Sequence, residues 1–196
     1  MQRYYKVGTK MNSLLILLVA FIRSYGVAGV KIIWDNSVDY NFNDFDISSR
    51  ADEVRMPNRF FIYPGTKWCG AGNIAESDDD FGIHRDTDKC CRNHDYCPDI
   101  IEGFQTRYNL TNPSFYTRLN CKCDRDFYQC LKTVKSATSG QVGNLYFTAL
   151  GTQCYKNEFP VTGCDKYSYF PRKKCLNYTF DRTKEKEYQW FDLPNF

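Results

Sequence analysis

Several things are scarce in this chain of 196 residues. Cysteine is absent from residues 1–59, histidine occurs only twice, and the apolar run Leu14–Ile22 is just nine residues long. An excess charge of either sign is scarce as well, since 26 lysines and arginines against 23 aspartates and glutamates leave a formal +3. So slight an excess, with no basic tail and no recognition motif, excludes nucleic-acid binding. Nine apolar residues fall short of the ~20 that a bilayer-spanning helix needs. No Gly-x-Ser-x-Gly occurs, which removes the serine nucleophile elbow. Asp78-Asp79-Asp80-Phe81-Gly82 begins like an EF-hand loop, but its twelfth position is Lys89, where that loop requires glutamate. There is no internal repeat.

What the chain does have is cysteine, ten of them, all between Cys69 and Cys175. That window is about 9% cysteine, the range of a disulfide scaffold. An even count permits five bridges with no leftover thiol. A core of this size is marginal alone, and each bridge typically adds roughly 2–4 kcal/mol. A reducing cytosol would not maintain such bridges, so the chain reads as secreted. A zinc site from Cys121, Cys123 and His94 is disfavoured for the same reason, because cysteines of a secreted protein serve as cystines.

The N-terminus suits export. Arg3, Lys6 and Lys10 precede the apolar run, and Gly26, Ala28 and Gly29 offer small residues for cleavage, so residues 1–28 read as a signal peptide. The Asn/Asp-rich stretch Asp35–Asp44 has no helical period and reads as loop. Downstream, Arg55-Met56-Pro57-Asn58-Arg59 sets two arginines around a breaker, and residues 29–59 read as a propeptide cut near Arg59. Residues 60–196 are then the working domain. Within it, charge runs from −4 over residues 61–100 to +5 over residues 101–196. That dipole suits an anionic surface, and equally an ordinary solvated exterior.

Two segments carry helical signals. One follows Asp86-Thr87, a good N-cap pair, and stops at Pro98; the other runs from about Tyr116 to Lys132. Cys90 and Cys97 are seven residues apart, as are Cys123 and Cys130. Seven residues are two turns, so each pair lies on one helix face, roughly 10 Å apart. Two such helices running antiparallel could be stapled at both ends, Cys90 to Cys130 and Cys97 to Cys123, although ten cysteines allow about 945 pairings. His94 would then fall between the staples, facing Asp124. Beyond residue 140, Tyr146-Phe147, Tyr155, Tyr178-Thr179-Phe180 and Tyr188-Gln189-Trp190-Phe191, broken by Gly, Pro and Thr, predict short strands and turns. Cys164 and Cys175 would close a small loop around Arg172-Lys173-Lys174. Asn109-Leu110-Thr111 and Asn177-Tyr178-Thr179 are N-glycosylation sequons.

Chemistry concentrates in two places. A rigidly held His94, with Asp124 accepting from one ring nitrogen, suits general-base work near neutral pH. Alone, the same residue also fits an ordinary surface histidine. Upstream, Gly70 and Gly72 bracket a point where the backbone can turn sharply and expose carbonyl oxygens. If a bridge tied Cys69 to Cys91, this loop would be drawn towards Asp95, and carbonyls plus one carboxylate suit a hard cation such as calcium. Alone, Gly-x-Gly is equally a plain turn.

Taken together, Trp68-Cys69-Gly70-x-Gly72, Cys90-Cys91-Arg92-x-His94-Asp95-x-Cys97 and Cys121-x-Cys123-Asp124 closely resemble group III secreted phospholipase A2, the bee-venom type. The resemblance runs from about Phe61 to Leu193. It implies that Trp68, Gly70 and Gly72 give main-chain oxygens to Ca2+ and Asp95 its carboxylate. His94 is then the base, Asp124 orients it, and Tyr146 is the second partner of that aspartate. The implied pairing is Cys69–Cys91, Cys90–Cys130, Cys97–Cys123, Cys121–Cys154 and Cys164–Cys175. Ala71 replaces a larger residue between the loop glycines, where only the backbone matters. The implied fold is a small disulfide-rich α+β one, with two antiparallel helices crosslinked by disulfides, an N-terminal calcium loop and short C-terminal β-strands. The implied activity is calcium-dependent hydrolysis of the sn-2 ester of glycerophospholipids by a secreted monomer sitting on a phospholipid membrane, with Phe61 and Ile62 as candidate contacts. The competing expectation is a non-catalytic toxin on the same scaffold, binding a receptor or channel. An inactive relative would be expected to lose His94, Asp95 or Asp124, and all three are present.

Overall fold

Two helices in this chain begin where a short polar side chain, Asn120 or Ser136, satisfies a free backbone N–H group. In the computed structural model, which describes residues 31–35, 53–57 and 62–196, the elements in order are β1 (Lys31–Asp35), β2 (Glu53–Pro57), α1 (Arg85–Asp95), β3 (Ile100–Ile101), β4 (Thr106–Arg107), β5 (Leu110–Thr111) and β6 (Arg118–Leu119), then α2 (Cys121–Val134), α3 (Ala137–Gly143), a π-helix (Asn144–Leu150), β7 (Gln153–Glu158), β8 (Val161–Ser168), β9 (Lys174–Phe180) and β10 (Glu187–Asp192). The signal-peptide reading, the processing site at Arg59 and the contact residue Phe61 lie outside the described residues. The segment read as a propeptide contains β1 and β2, whose backbones pair in parallel.

The Asn120 side chain caps α2 by accepting from the Lys122 N–H at 3.0 Å. The helix therefore begins at Cys121 and not near Tyr116, where the sequence places it. Residues just before it serve a different element, since β6 pairs antiparallel with β3. In α1, Asp86 and Asp88 lie inside the first turn, where the positive end of the helix dipole favours them, and His84 takes the cap position without a side-chain bond. Ser136 and Ser139 cap each other's backbones to start α3, which runs directly into the π-helix and stops at Gly151 with φ 57°. Tyr146 and Phe147 are thus helical, against the strand expectation. The capping box fixes a helix start that their aromatic composition does not reveal.

Among the described residues the strands form two-stranded pairs. β7 with β10 and β8 with β9 are antiparallel, and they contain Tyr155, Tyr178–Phe180 and Tyr188–Phe191. Five disulfides join these pieces: Cys69–Cys91, Cys90–Cys130, Cys97–Cys123, Cys121–Cys154 and Cys164–Cys175. Both thiols of the rejected zinc set are committed to bridges. Around them Trp68, Phe127, Leu131, Val142, Phe147, Phe191 and Leu193 form the buried core. Phe127 and Leu131 are four apart, so one face of α2 supplies both. Ile62, expected at a membrane face, is only 9% exposed and belongs to the packing. No helix among the described residues is long and apolar enough to cross a membrane.

Candidate active site

Two faces of α1 do different jobs. Cys90 and His94, with Cys97 just past the helix end, follow an i, i+4, i+7 spacing, and both cysteines bond to α2 residues. Asp88, Cys91 and Asp95 follow i, i+3, i+7 on another face.

On the first face, His94 Nε2 lies 2.9 Å from Asp124 Oδ1. The His94 side chain is 9% exposed and that of Asp124 fully buried. Tyr146 donates its hydroxyl to the same Oδ1 at 2.7 Å, which brings the π-helix into the cluster. An ionised carboxylate only accepts, so its hydrogen bond assigns the proton to Nε2 and leaves the Nδ1 lone pair free. Phe127 stacks on the imidazole at 4.2 Å between centroids, while Tyr146 meets it edge-on at 5.1 Å. With ring orientation fixed by both contacts, His94 cannot swing without unpacking α2. Burial first, then the Asp124 charge, push the Tyr146 phenol well above its ordinary value, so it remains a donor. Asp124 Oδ2 is buried with no partner among the described residues.

On the second face, Asp88 holds the glycine loop. Fully buried, it accepts from Lys67 N and Gly82 N through Oδ2 and from Trp68 N through Oδ1, each at 2.8 Å. The Cys69–Cys91 bridge adds a covalent tie one helical turn along. Trp68 is buried and donates Nε1–H to Asp80 O at 3.0 Å. Gly72 has φ +76°, a left-handed conformation that side chains disfavour, so glycine is required there for the turn. Sequence reasoning missed Asp88. The available signal was its position three residues before Cys91, which puts it on the face that receives the loop.

The donor set passes a test for a hard cation. Among the described residues, the carbonyl oxygens of Gly70 and Gly72 accept no hydrogen bond, while that of Trp68 accepts one from Gly70 N at 3.2 Å. The Asp95 carboxylate likewise has no hydrogen-bond partner among them. As a whole residue Asp95 is exposed to solvent. Burial first, then the Asp88 charge, push its carboxyl up to about 8. Spare carbonyl oxygens on a loop tied to α1, and a carboxylate on that helix without a hydrogen-bond partner among the described residues, are the donor types calcium prefers. No group of three or more His, Cys, Asp or Glu side chains among the described residues could hold a metal, so an ion here would depend on main-chain oxygens.

The other sequence-marked residues stand apart from this cluster. His84 donates its backbone N–H to Gly65 O, and its ring fills the space beside Gly65, a packing role. Asn109 and Asn177 are exposed, the first in the tight turn between β4 and β5.

The family model described as phospholipase A2 matches residues 62–158. The chain is 50% identical over 136 residues to phospholipase A2 of Apis dorsata, an alignment covering 69% of this chain and 99% of that protein. It is 50% identical over 144 residues to that of Xylocopa appendiculata circumvolans, covering 74% and 78% respectively. To that of Apis mellifera it is 46% identical over 153 residues, covering 78% and 89%. With the histidine–aspartate pair, the glycine loop and five disulfides in place, the chain belongs to the group III, bee-venom-type phospholipase A2 family.

Proposed function

We propose that this protein is a secreted, calcium-dependent phospholipase A2 that releases the sn-2 fatty acid of glycerophospholipids at a membrane surface. The observation that carries the reading is the His94–Asp124–Tyr146 cluster, which leaves one imidazole nitrogen free and fixes the ring. Asp124 and Tyr146 orient the base. His94 Nδ1 takes a proton from water as the water oxygen attacks the sn-2 carbonyl carbon. The ester C–O bond to glycerol then breaks, and the proton passes from His94 to the departing glycerol oxygen. The products are a fatty acid and a lysophospholipid, with no acyl-enzyme between them.

The main-chain oxygens of Trp68, Gly70 and Gly72 and the carboxylate of Asp95 would hold the calcium ion. When bound, that ion supplies attraction for the lipid phosphate and Lewis-acid stabilisation of charge developing on the ester oxygen. Asp88 and the Cys69–Cys91 bridge keep the loop on α1, beside the base. The Cys90–Cys130 and Cys97–Cys123 bridges support a frame in which α1 and α2 run antiparallel and carry both halves of the site. Residues 1–28 act as the signal peptide, 29–59 as a propeptide and 60–196 as the monomeric enzyme, with N-linked glycans on Asn109 and Asn177.

The test is fatty-acid release from phospholipid vesicles with calcium, with chelator, and by His94→Gln. A positioned base contributes about 10²–10⁴ in rate, and His94→Gln is expected to lose that much. Chelator is expected to abolish release. Equal release in all three conditions would sink the catalytic assignment, and no release by the unaltered protein would favour the receptor- or channel-binding reading.

A further inference from the structure

The hairpin of β8 and β9 lies outside the catalytic cluster, and its exposed residues are not used by the mechanism. Its tip exposes two of the least covered large apolar side chains among the described residues, Tyr169 at 72% and Phe170 at 85%. Tyr167 stands beside them, with Lys173 Nζ 4.2 Å from its ring centroid. The tip is held at its base. Cys164–Cys175 crosslinks the two strands, Asn195 donates to Phe170 O at 2.8 Å, and Arg172 donates to Ala149 O at 2.8 Å. With the backbone pinned, the rings project while the loop under them stays fixed. The charge here is one-sided. Between residues 161 and 180 there is a single carboxylate, Asp165, against Lys166, Arg172, Lys173 and Lys174. Lys174 is turned inward at 2% exposure, while Lys166 and Lys173 are exposed.

Projecting rings flanked by lysines suit the boundary between water and lipid. Aromatic rings favour the headgroup zone, and long cationic side chains can reach phosphates while their stems stay in the apolar layer. A narrow turn presents little area for a protein partner, which typically needs about 800 Å² on each side. A lipid surface accepts a small insertion. We propose that the β8–β9 tip is a membrane-docking prong, with Tyr169 and Phe170 entering an anionic phospholipid surface and Lys166 and Lys173 meeting its phosphates. The choice of a lipid partner rests on the hydrolase reading, but docking is measurable without turnover.

The full chain, kept in chelator, is sedimented with phosphatidylcholine vesicles that contain or lack phosphatidylglycerol. Tyr169→Ser with Phe170→Ser is expected to weaken binding to both vesicle types at least about tenfold, because apolar burial is lost. Lys166→Gln with Lys173→Gln is expected to weaken binding to the anionic vesicles alone, by about fivefold per lysine. Phe170→Trp controls for folding, since it should keep the affinity and add blue-shifted emission on vesicles. Unchanged binding by both double variants would overturn the proposal, even if the same variants lost a protein partner. So would added emission from the Phe170→Trp variant that stays solvent-like on vesicles. Turnover of a dispersed short-chain phospholipid, read separately, tests the hydrolase reading and is indifferent to docking.

Discussion

The glycine loop with its two helices and the β8–β9 hairpin are both disulfide-bonded, yet they turn their groups in opposite directions. In the helical body two carboxylates face inward. Asp88 and Asp124 are fully buried, and each accepts two or more protein hydrogen bonds. At the tip of the hairpin the rings of Tyr169 and Phe170 face outward, and the buried charge is Lys174, whose Nζ donates to Phe147 O at 2.6 Å and Leu193 O at 3.0 Å. The same kind of crosslink serves two purposes. In the body it fixes the register of polar atoms that must meet. In the hairpin it lets a tip stay ordered without burying its own aromatic residues.

Removing the hydrogen-bond partner of His94 should break the body most severely. Asp124→Ala leaves His94 without its acceptor and is expected to cut hydrolysis of a dispersed substrate by about 10² or more, read as initial rates. Disulfide deletion should separate the two regions next. Cys97→Ser with Cys123→Ser opens a 26-residue span and is expected to lower the unfolding free energy by about 3.5 kcal/mol, with a fall in activity. Cys164→Ser with Cys175→Ser opens an 11-residue span and is expected to cost about 3 kcal/mol, leaving dispersed-substrate turnover within about twofold. Denaturant midpoints and rates on the same samples check both.

Asp88→Ala strands three N–H donors, that of Trp68 buried and those of Lys67 and Gly82 part-buried, and is expected to cost about 3 kcal/mol. Asp86→Ala, which removes an exposed ion pair with Lys89 and a first-turn charge favoured by the helix dipole, should stay within about 1 kcal/mol. A near-equal cost for the two would refute the anchoring role of Asp88.

The smallest effect concerns pH. Burial first, then Arg172, lower the Lys174 amine to about 8, with Asp192 opposing. Its pKa is thus lower folded than unfolded. Between the two values the unfolded chain holds more protons, and stability rises with pH. From pH 8 to 9.5 the gain is expected to be about 2 kcal/mol, and it should disappear in Lys174→Met. Urea midpoints across that window decide it.

Seven-residue cysteine spacing made the two helices and the place of His94 legible, because a helical period turns sequence distance directly into a shared face. The π-helix was not legible. Tyr146 and Phe147 look like strand residues, and what makes them helical is the Ser136–Ser139 capping box ten residues earlier. Asp88 was hidden for a similar reason, since its partners are main-chain N–H groups, which leave no mark on residue identity. The exposed hairpin tip was half visible. Sequence placed basic residues between Cys164 and Cys175, but only the packing of Asn195 and Arg172 reveals that the rings point out.

The division of labour between body and hairpin is tested most directly by crossing two variants with two substrates. His94→Gln and Tyr169→Ser/Phe170→Ser are each assayed with calcium on a dispersed short-chain phospholipid and on anionic vesicles. The expected result is that His94→Gln loses both activities, while the hairpin variant keeps the dispersed rate and loses vesicle turnover by about tenfold. Loss of the dispersed rate in the hairpin variant, or retained vesicle turnover in His94→Gln, would contradict it.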